Sequence, residues 1–179
     1  MFKGLKEPQS LINIKNEDIN LFSLNEFETT CKIVDIYDAD TCKIVFILDN
    51  SIVKFNCRLS HIDSPEIKPS LKIIHRSVEI KAAKKCRNKL IQLCTNSTCP
   101  LECILNKKLK QKYLAENTKL LNVKCGKFDK YGRLLIELYH IGSEKSINNL
   151  LIDEKYVHSY SGKTKKKFTL DELNYILDN

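Results

Sequence analysis

Four acidic residues draw attention because each follows β-type sequence. Asp38 and Asp40 come after a run of alternating residues, and Asp63 and Glu66 come after a later run, across a proline-containing turn. If these runs are neighbouring strands, the four carboxylates meet at their ends. Clustered carboxylates repel one another unless a cation neutralises them, and all-oxygen ligands favour a hard ion such as calcium or magnesium. The alternative is that Asp38 and Asp63 only form turns and that Glu66 is a surface charge.

Two arginines add a second kind of chemistry to these acids. Arg58 lies on the run that precedes Asp63, and Arg133 follows the segment DKYG. A guanidinium group donates two parallel hydrogen bonds to a phosphate, so two arginines near a metal suit phosphate binding. Carboxylate, cation and arginine together indicate phosphoryl transfer, in which a carboxylate that is free of the metal activates or orients water. The alternative for both arginines is a surface ion pair, which contributes little to stability.

The strands that must position these residues are predicted from alternation. Residues 30–37, CKIVFIL and SIVKFNCRL indicate three strands, and Asp49 and Asn50 suit a tight hairpin turn between the last two. KLLNVKC and RLLIELYH predict two further strands, joined through GKFDKYG, whose glycines suit a turn. Alternation in the first strand places Cys31, Ile33 and Asp35 on one face and Lys32, Val34 and Ile36 on the other.

Helices are predicted from apolar residues at helical spacing. Ser146 can cap the second of three helices, and Thr169 with Glu172 forms a capping box at the start of the third. Residues 95–118 have no clear period, so we interpret them as a connection or insertion with some helix in KKLKQKYLAEN. The expected apolar faces are Val78, Ala82, Cys86 and Leu90 in the first helix, Ile147, Leu150 and Leu151 in the second, and Leu170, Leu173 and Leu177 in the third.

The order of these elements predicts an α+β fold. Five short strands with an intervening helix are what a five-stranded, OB-type β-barrel needs, here with about three packed helices. A chain of 179 residues suits one domain with its own core. We assign residues 30–179 to that domain, including the insertion at 95–118, and residues 1–29 to an N-terminal extension. Other α+β folds are compatible with the same pattern.

Basic charge is concentrated in the middle of the chain, whose formal net charge is +8. Residues 68–130 contain 16 Lys and Arg against 4 Asp and Glu, which is +12, so the remaining residues together carry −4. Such a field attracts polyanions, of which nucleic acid is the commonest, although a solvated lysine face is also ordinary surface. The charge alone therefore supports a nucleic-acid partner only moderately.

Compartment and cysteine chemistry are predicted from composition. The N-terminal residues lack the apolar stretch of a secretory signal, and no run approaches the roughly 18 apolar residues of a membrane span. We therefore expect a cytoplasmic, monomeric protein without membrane contact, whose eight cysteines are reduced thiols. A zinc site formed by Cys94, Cys99 and Cys103 is an alternative. Their spacing is not that of known zinc modules, and no histidine lies in that stretch.

Three segments, DADT, RLSHIDSPE and DKYGR, resemble in that order the signature segments of the staphylococcal nuclease, or thermonuclease-like, family. The resemblance covers about residues 30–162, and three motifs together are far more specific than one. It implies an OB-type barrel and a calcium-dependent (Ca²⁺) nuclease. Such an enzyme hydrolyses the 5′ phosphorus–oxygen bond of DNA or RNA, with single strands preferred, and leaves 3′-phosphate ends.

The resemblance also implies roles for individual residues. Asp40 and Asp63 resemble calcium-ligand carboxylates, with the main-chain carbonyl of Ser64 as a further ligand and Asp38 beside the metal. Glu66 resembles the general base or water-positioning carboxylate. On the substrate side, Arg58 and Arg133 resemble the pair that grips the scissile phosphate, Lys130 and Tyr131 resemble contacts to a neighbouring phosphate, and Tyr160 resembles a base-stacking tyrosine or is a buried tyrosine serving the barrel.

Two positions depart from the family's pattern. Ala39 stands where the family usually has glycine, and if that position needs a positive φ the alanine strains the metal loop. Ser64 replaces a threonine, which changes nothing if only its carbonyl binds metal.

An alternative of a different class is a non-catalytic module that binds nucleic acid or peptide. Barrels of this family also serve as scaffolds after losing their acidic and arginine residues. This chain keeps Asp40, Asp63, Glu66, Arg58 and Arg133 together, which favours the enzyme. Nothing resembles a base-reading motif, so no sequence specificity is expected.

Overall fold

Five strands close into a barrel in a computed structural model that describes residues 9–96 and 107–179. The strands of these residues are β1 (Glu28–Ile36), β2 (Thr41–Leu48), β3 (Ser51–Leu59), β4 (Ile62–Asp63), β5 (Leu120–Phe128), β6 (Leu134–His140) and β7 (His158–Ser159). The barrel order is β1, β2, β3, β6, β5, with β3 and β6 parallel and the other neighbours antiparallel. The short strands β4 and β7 pair separately. The predicted α+β, OB-type barrel is confirmed.

The β2–β3 hairpin turn is the one predicted. Asp49 and Asn50 both have positive φ, 47° and 60°, which matches the right-handed twist of a two-residue hairpin. The turn fixes the register from Leu48 opposite Ser51 to Thr41 opposite Arg58. A local turn therefore decides which residue of β3 lies beside the start of β2.

The predicted faces of β1 are wrong at its end. Cys31, Ile33 and Ile36 are all buried in the barrel core, whereas Asp35 is not among the core residues. The pairing of β1 with β2 shifts between Ile33 and Asp35, which is the mark of a β-bulge. A bulge inserts one extra residue, so the alternation changes phase there.

The helices of the described residues are α1 (Gln9–Ile12), α2 (Arg76–Leu93), α3 (Lys107–Asn117), α4 (Ile147–Asp153) and α5 (Leu170–Asp178), with one 3₁₀ turn at Asn16–Asp18. The three predicted helices are present as α2, α4 and α5. The Ser146 hydroxyl accepts from the N–H of Asn149 (3.1 Å), and Thr169 and Glu172 exchange the two bonds of the capping box. Both predicted caps are confirmed.

The expected apolar face of α5 needs a correction. Leu173 is buried as predicted, but the second fully packed residue is Ile176, and Leu170 is 36% exposed. Helix α5 packs on α2, so the position of α2 decides which stripe of α5 is covered.

None of the helices described is long and apolar enough to cross a membrane.

Helix α3 lies in the segment that we interpreted as an insertion. Its Leu114 is fully buried, and it packs on β1. Lys110 Nζ lies 2.9 Å from Asp35 Oδ1 and also donates to the carbonyl of Ile36. The helix is therefore part of the core and fastens the end of β1.

The cysteines of the described residues serve the core. Cys31, Cys42, Cys57, Cys86, Cys94 and Cys125 are buried free thiols. Burial and the neighbouring Cys125 raise the pKa of Cys31 to about 12, so it remains a thiol at neutral pH. Cys99 and Cys103 of the zinc alternative lie outside the described residues.

The N-terminal extension lies largely at the surface over the residues that are described. Leu21 and Phe22 are exposed, whereas Leu24 is buried in the core cluster just before β1 begins. The chain therefore joins the barrel at Leu24.

Glu172 supports a first prediction, on pH-dependent stability. Burial acts to raise its pKa, but hydrogen bonds from Lys166 and from the N–H of Thr169 outweigh burial and lower the pKa to about 2. Because the folded pKa lies below the unfolded value of 4.5, the stabilisation is present above about pH 4.5 and is lost as the pH falls towards 2.

We expect Glu172→Gln to lower the free energy of unfolding at pH 7 by about 1 kcal/mol, after allowance for solvent screening of this partly exposed group. Urea unfolding at pH 7, 5 and 3 measures the effect, which should shrink at pH 3. Asp171→Asn, a neutralisation in the same first turn, is the control. An effect of Glu172→Gln that is independent of pH would contradict the electrostatic explanation.

Candidate functional site

The predicted acidic residues converge where β1 and β3 end and β2 begins. Asp38 and Asp40 lie in the loop between β1 and β2, and Asp63 ends the short strand β4. The N–H of Leu59 donates to the carbonyl of Asp40 (2.8 Å), which ties this loop to the end of β3. Asp38, Asp40, Asp63 and Ser64 are all buried.

Arg58 joins two of these carboxylates. Its Nη1 lies 2.8 Å from Asp40 Oδ2, and its Nη2 lies 3.1 Å from Asp63 Oδ1. Burial disfavours the charge of Arg58, but the neighbouring Asp40 and Asp63 outweigh burial and raise its pKa, so the guanidinium stays charged. Only 12% of the side chain is exposed. Arg58 is thus a buried cation held between two acids.

Asp38 and Asp40 lie close together and are joined by a hydrogen bond. The N–H of Asp40 donates to Asp38 Oδ1 (3.2 Å), and the Thr41 hydroxyl donates to Asp40 Oδ1 (2.8 Å). Burial, followed by the charge of Asp40, raises the pKa of Asp38 to about 7. Asp38 therefore carries less negative charge at neutral pH than an exposed aspartate does.

Ala39 fits this loop without strain. Its φ is not among the positive values found in residues 9–96 and 107–179, and its side chain is fully buried. The strain that an alanine would suffer at a positive φ therefore does not arise.

Two residues that sequence reasoning missed contact the segment that carries Asp63 and Glu66. Lys165 Nζ lies 2.8 Å from Asp63 Oδ1 and 3.0 Å from Glu66 Oε1. The buried carboxylate of Glu79, on α2, accepts a hydrogen bond from the N–H of Glu66 (3.2 Å). Glu79 is the one acid in the sequence of α2, which was a usable signal. Lys165 lies 99 residues from Glu66, so nothing local indicated that contact.

Arg133 pairs with Asp129 and not with Asp40, Asp63 or Glu66. Its Nε and Nη2 lie 2.8 and 2.7 Å from Asp129 Oδ2, across the turn that joins β5 and β6. Asp129 Oδ1 also accepts from the N–H groups of Tyr131 and Arg133, both at 2.9 Å, and Gly132 has a φ of 75° that the turn requires. Burial acts to raise the pKa of Asp129, but its bonds from Arg133 outweigh burial and lower it. Asp129 thus fixes the guanidinium of Arg133.

An open cleft of about 730 Å³ brings the two arginines and the acids together. Tyr131 stands 72% exposed at its wall, with Lys130 Nζ 5.1 Å from the ring centroid. Tyr160 is half-buried, and its ring centroid lies 5.8 Å from Arg58 Cζ. The cleft is lined by nine of the ten predicted site residues, namely Asp38, Asp40, Arg58, Ser64, Glu66, Lys130, Tyr131, Arg133 and Tyr160. The tenth, Asp63, contacts the lining residues Arg58 and Lys165.

The donor set at the acidic end is compatible with a hard cation. Asp40 and Asp63 bind the same guanidinium, so both carboxylates reach one small region, and Ser64, which follows Asp63 in the chain, lines the cleft and offers a peptide carbonyl. Oxygen donors of this kind hold calcium or magnesium when water completes the coordination. Within the described part of the chain, no three His, Cys, Asp or Glu side chains are grouped to hold a metal by themselves. A cation bound here would therefore need main-chain and water ligands.

Comparison with known proteins adds no assignment: no model of a protein family matches this chain, and no curated protein matches it. The function must therefore be inferred from the cleft itself.

Proposed function

We propose that the chain is a calcium-dependent nuclease that hydrolyses phosphodiester bonds of DNA and RNA without sequence preference. The observation that carries the proposal is the convergence of two arginines and the carboxylates Asp40, Asp63 and Glu66 at one open cleft. Buried carboxylates beside arginines that face an open cleft suit a phosphate with a cation. The motif resemblance to the staphylococcal nuclease family points to the same reaction.

Substrate binding follows from the wall of the cleft. Lys130 supplies a charge for a backbone phosphate, and the exposed ring of Tyr131 offers a face for a base. Tyr160 offers a second ring beside Arg58. Because stacking needs unpaired bases, single-stranded DNA and RNA are the preferred substrates.

The side chains divide the chemistry among them. Glu66 is half-exposed at the cleft and accepts a proton from the attacking water, whose oxygen bonds to phosphorus. Arg58 and Arg133 donate hydrogen bonds to the phosphate oxygens as their negative charge grows. The bond from phosphorus to the 5′ oxygen then breaks, and the leaving 5′ oxygen takes a proton from solvent, which leaves a 3′-phosphate and a 5′-hydroxyl. Asp40, Asp63 and the Ser64 carbonyl would hold calcium, which would supply further positive charge to the phosphate.

A second candidate is a non-catalytic module that binds nucleic acid. It is favoured by one observation, which is that Arg58 and Lys165 already pair with the carboxylates that the metal needs. A charge-paired pocket next to a basic wall can bind a polyanion without cleaving it.

Cleavage assays distinguish the two candidates. Purified protein is incubated with single-stranded DNA and with RNA at matched ionic strength, in calcium, in magnesium or in chelator, because phosphate binding weakens as salt rises. We expect calcium-dependent cleavage by the wild type and its loss in Glu66→Ala, with the exposed Glu144→Ala as the control. Binding without cleavage in every metal would leave the non-catalytic module.

Glu79 gives a prediction on the same activity. Its carboxylate holds the N–H of Glu66, so Glu79→Ala should release the loop and lower kcat about 10- to 100-fold with little change in KM. Glu79→Gln keeps an oxygen acceptor and should retain most of the activity. Steady-state kinetics with unfolding curves of both variants make the test, and equal losses in both variants would contradict a positioning role.

A further inference from the structure

Lys165 is a cation that the chain itself places in the acidic pocket. Its Nζ bridges Asp63 Oδ1, at 2.8 Å, and Glu66 Oε1, at 3.0 Å. The first of these residues is a proposed metal ligand, and the second is the proposed base. Lys165 therefore occupies two groups that the proposed reaction needs.

Lys165 differs from the other cation of the pocket in how firmly it is held. Arg58 is 12% exposed and is held by Asp40, Asp63 and the carbonyl of Ile62, at 3.2 Å. Lys165 is 48% exposed and extends from an exposed segment, residues 161–167, which contains Gly162 with a φ of 84°. Half-exposed ion pairs of long side chains contribute little net stability, so Lys165 is the cation that leaves more easily.

Electrostatic repulsion also opposes the presence of Lys165 and a divalent metal in the pocket at the same time. The ammonium of Lys165 lies against the carboxylates of Asp63 and Glu66, and lysine side chains are ordinarily charged at neutral pH. A divalent ion at Asp63 would lie within a few ångströms of that ammonium, and like charges at such range repel strongly. One of the two must move, and the flexible lysine is the one that can.

We propose that Lys165 is an autoinhibitory cation that competes with the divalent metal for Asp63 and blocks Glu66, and that metal binding displaces it from both carboxylates. This inference rests on the proposed nuclease site. Displacement frees Glu66 to orient water and leaves the ammonium at the rim of the cleft, where a substrate phosphate passes. Cleavage therefore begins only after the metal has replaced Lys165.

Calcium binding tests this inference independently of activity. Isothermal titration at fixed, low ionic strength is carried out on chelator-treated wild type, Lys165→Met and Lys167→Met. Lys167 is exposed in the same segment, so its variant removes an equal charge from outside the pocket. We expect Lys165→Met to bind calcium about fivefold more tightly, as expected for loss of one competing surface ion pair, and Lys167→Met to stay near the wild type.

Three outcomes would overturn the proposed competition, and only one of them would also overturn the proposed metal site. Equal or weaker calcium binding by Lys165→Met, with binding still abolished by Asp63→Asn, overturns the competition and leaves the metal site in place. An equal gain in Lys167→Met also overturns it, because the effect is then general charge. No calcium binding by the wild type or by either lysine variant overturns the metal site and the competition together. Thermal unfolding of each variant confirms that the titrated protein is folded.

Discussion

Arg58→Ala should lower the rate of phosphodiester cleavage about a thousandfold, mainly through kcat. Arg58 is the cation that the fold presents both to the acids and to the cleft. Removing it takes away hydrogen-bond donors that strengthen as charge develops on the phosphate in the transition state. It also leaves Asp40 without its ion-pair partner in a buried position, which raises the negative potential that a phosphate meets.

Two variants sharpen this test. Arg58→Lys keeps a positive charge but loses the two-pronged geometry, so it should recover only a small part of the rate. Arg76→Ala removes an arginine whose Nε donates to the carbonyl of Pro69 (3.2 Å) and which does not line the cleft, so it should cleave nearly as the wild type does. Single-turnover kinetics measure the chemical step, and unfolding curves check that Arg58→Ala is folded. A folded Arg58→Ala that keeps more than about a tenth of the wild-type rate would remove Arg58 from the proposed chemistry.

The second large effect is on stability and concerns helix α3. Lys110 is 8% exposed, pairs with Asp35 and donates to the Ile36 carbonyl. Lys110→Met leaves a partly buried carboxylate without its cation and a peptide oxygen without its donor. Breaking a buried pair from one side costs about 3 kcal/mol, so the free energy of unfolding should fall by about that amount.

Urea unfolding at pH 7 measures this loss, with Lys108→Met, an exposed lysine of the same helix, as the control. Burial acts to raise the pKa of Asp35, but its hydrogen bond and ion pair with Lys110 outweigh burial and lower it. The pair therefore stabilises the fold above the normal aspartate pKa of about 3.9 and fades as the pH falls below it. The difference in the free energy of unfolding between Lys110→Met and the wild type should therefore shrink below that pH. A loss below about 1 kcal/mol at pH 7 would mean that α3 is not fastened through this lysine.

The same contact links stability to the site. Ile36 is the last residue of β1, and the loop after it carries Asp38 and Asp40. The N–H of Tyr37 donates to the carbonyl of Thr41 (2.8 Å), which closes that loop. A loosened α3 would therefore release, at its first residue, the loop that carries Asp38 and Asp40, so Lys110→Met should lower the proposed nuclease activity as well as stability.

The sequence by itself determined the features that depend on near neighbours in the chain. Asp49 and Asn50 tolerate positive φ, so the hairpin turn could be predicted from two residues. The caps at Ser146 and Thr169 require only side chains within three positions of the backbone they bind. The barrel fold followed from strand periodicity, and eight of the nine predicted residues that line the cleft lie in the three motifs, with Tyr160 as the exception.

Only the tertiary structure decided what these residues contact. The bulge places Ile36 in the core. It depends on the pairing of β1 with β2, so alternation along β1 alone does not predict it. The bridge from Lys165 to Glu66, the support of Glu66 by Glu79 and the capture of Asp35 by α3 each join distant parts of the chain. Charges and hydrogen bonds act through space, whereas sequence patterns report only which face of an element a residue occupies. The sequence therefore supplied the acids and arginines of the site, and the fold decided which cation each acid holds.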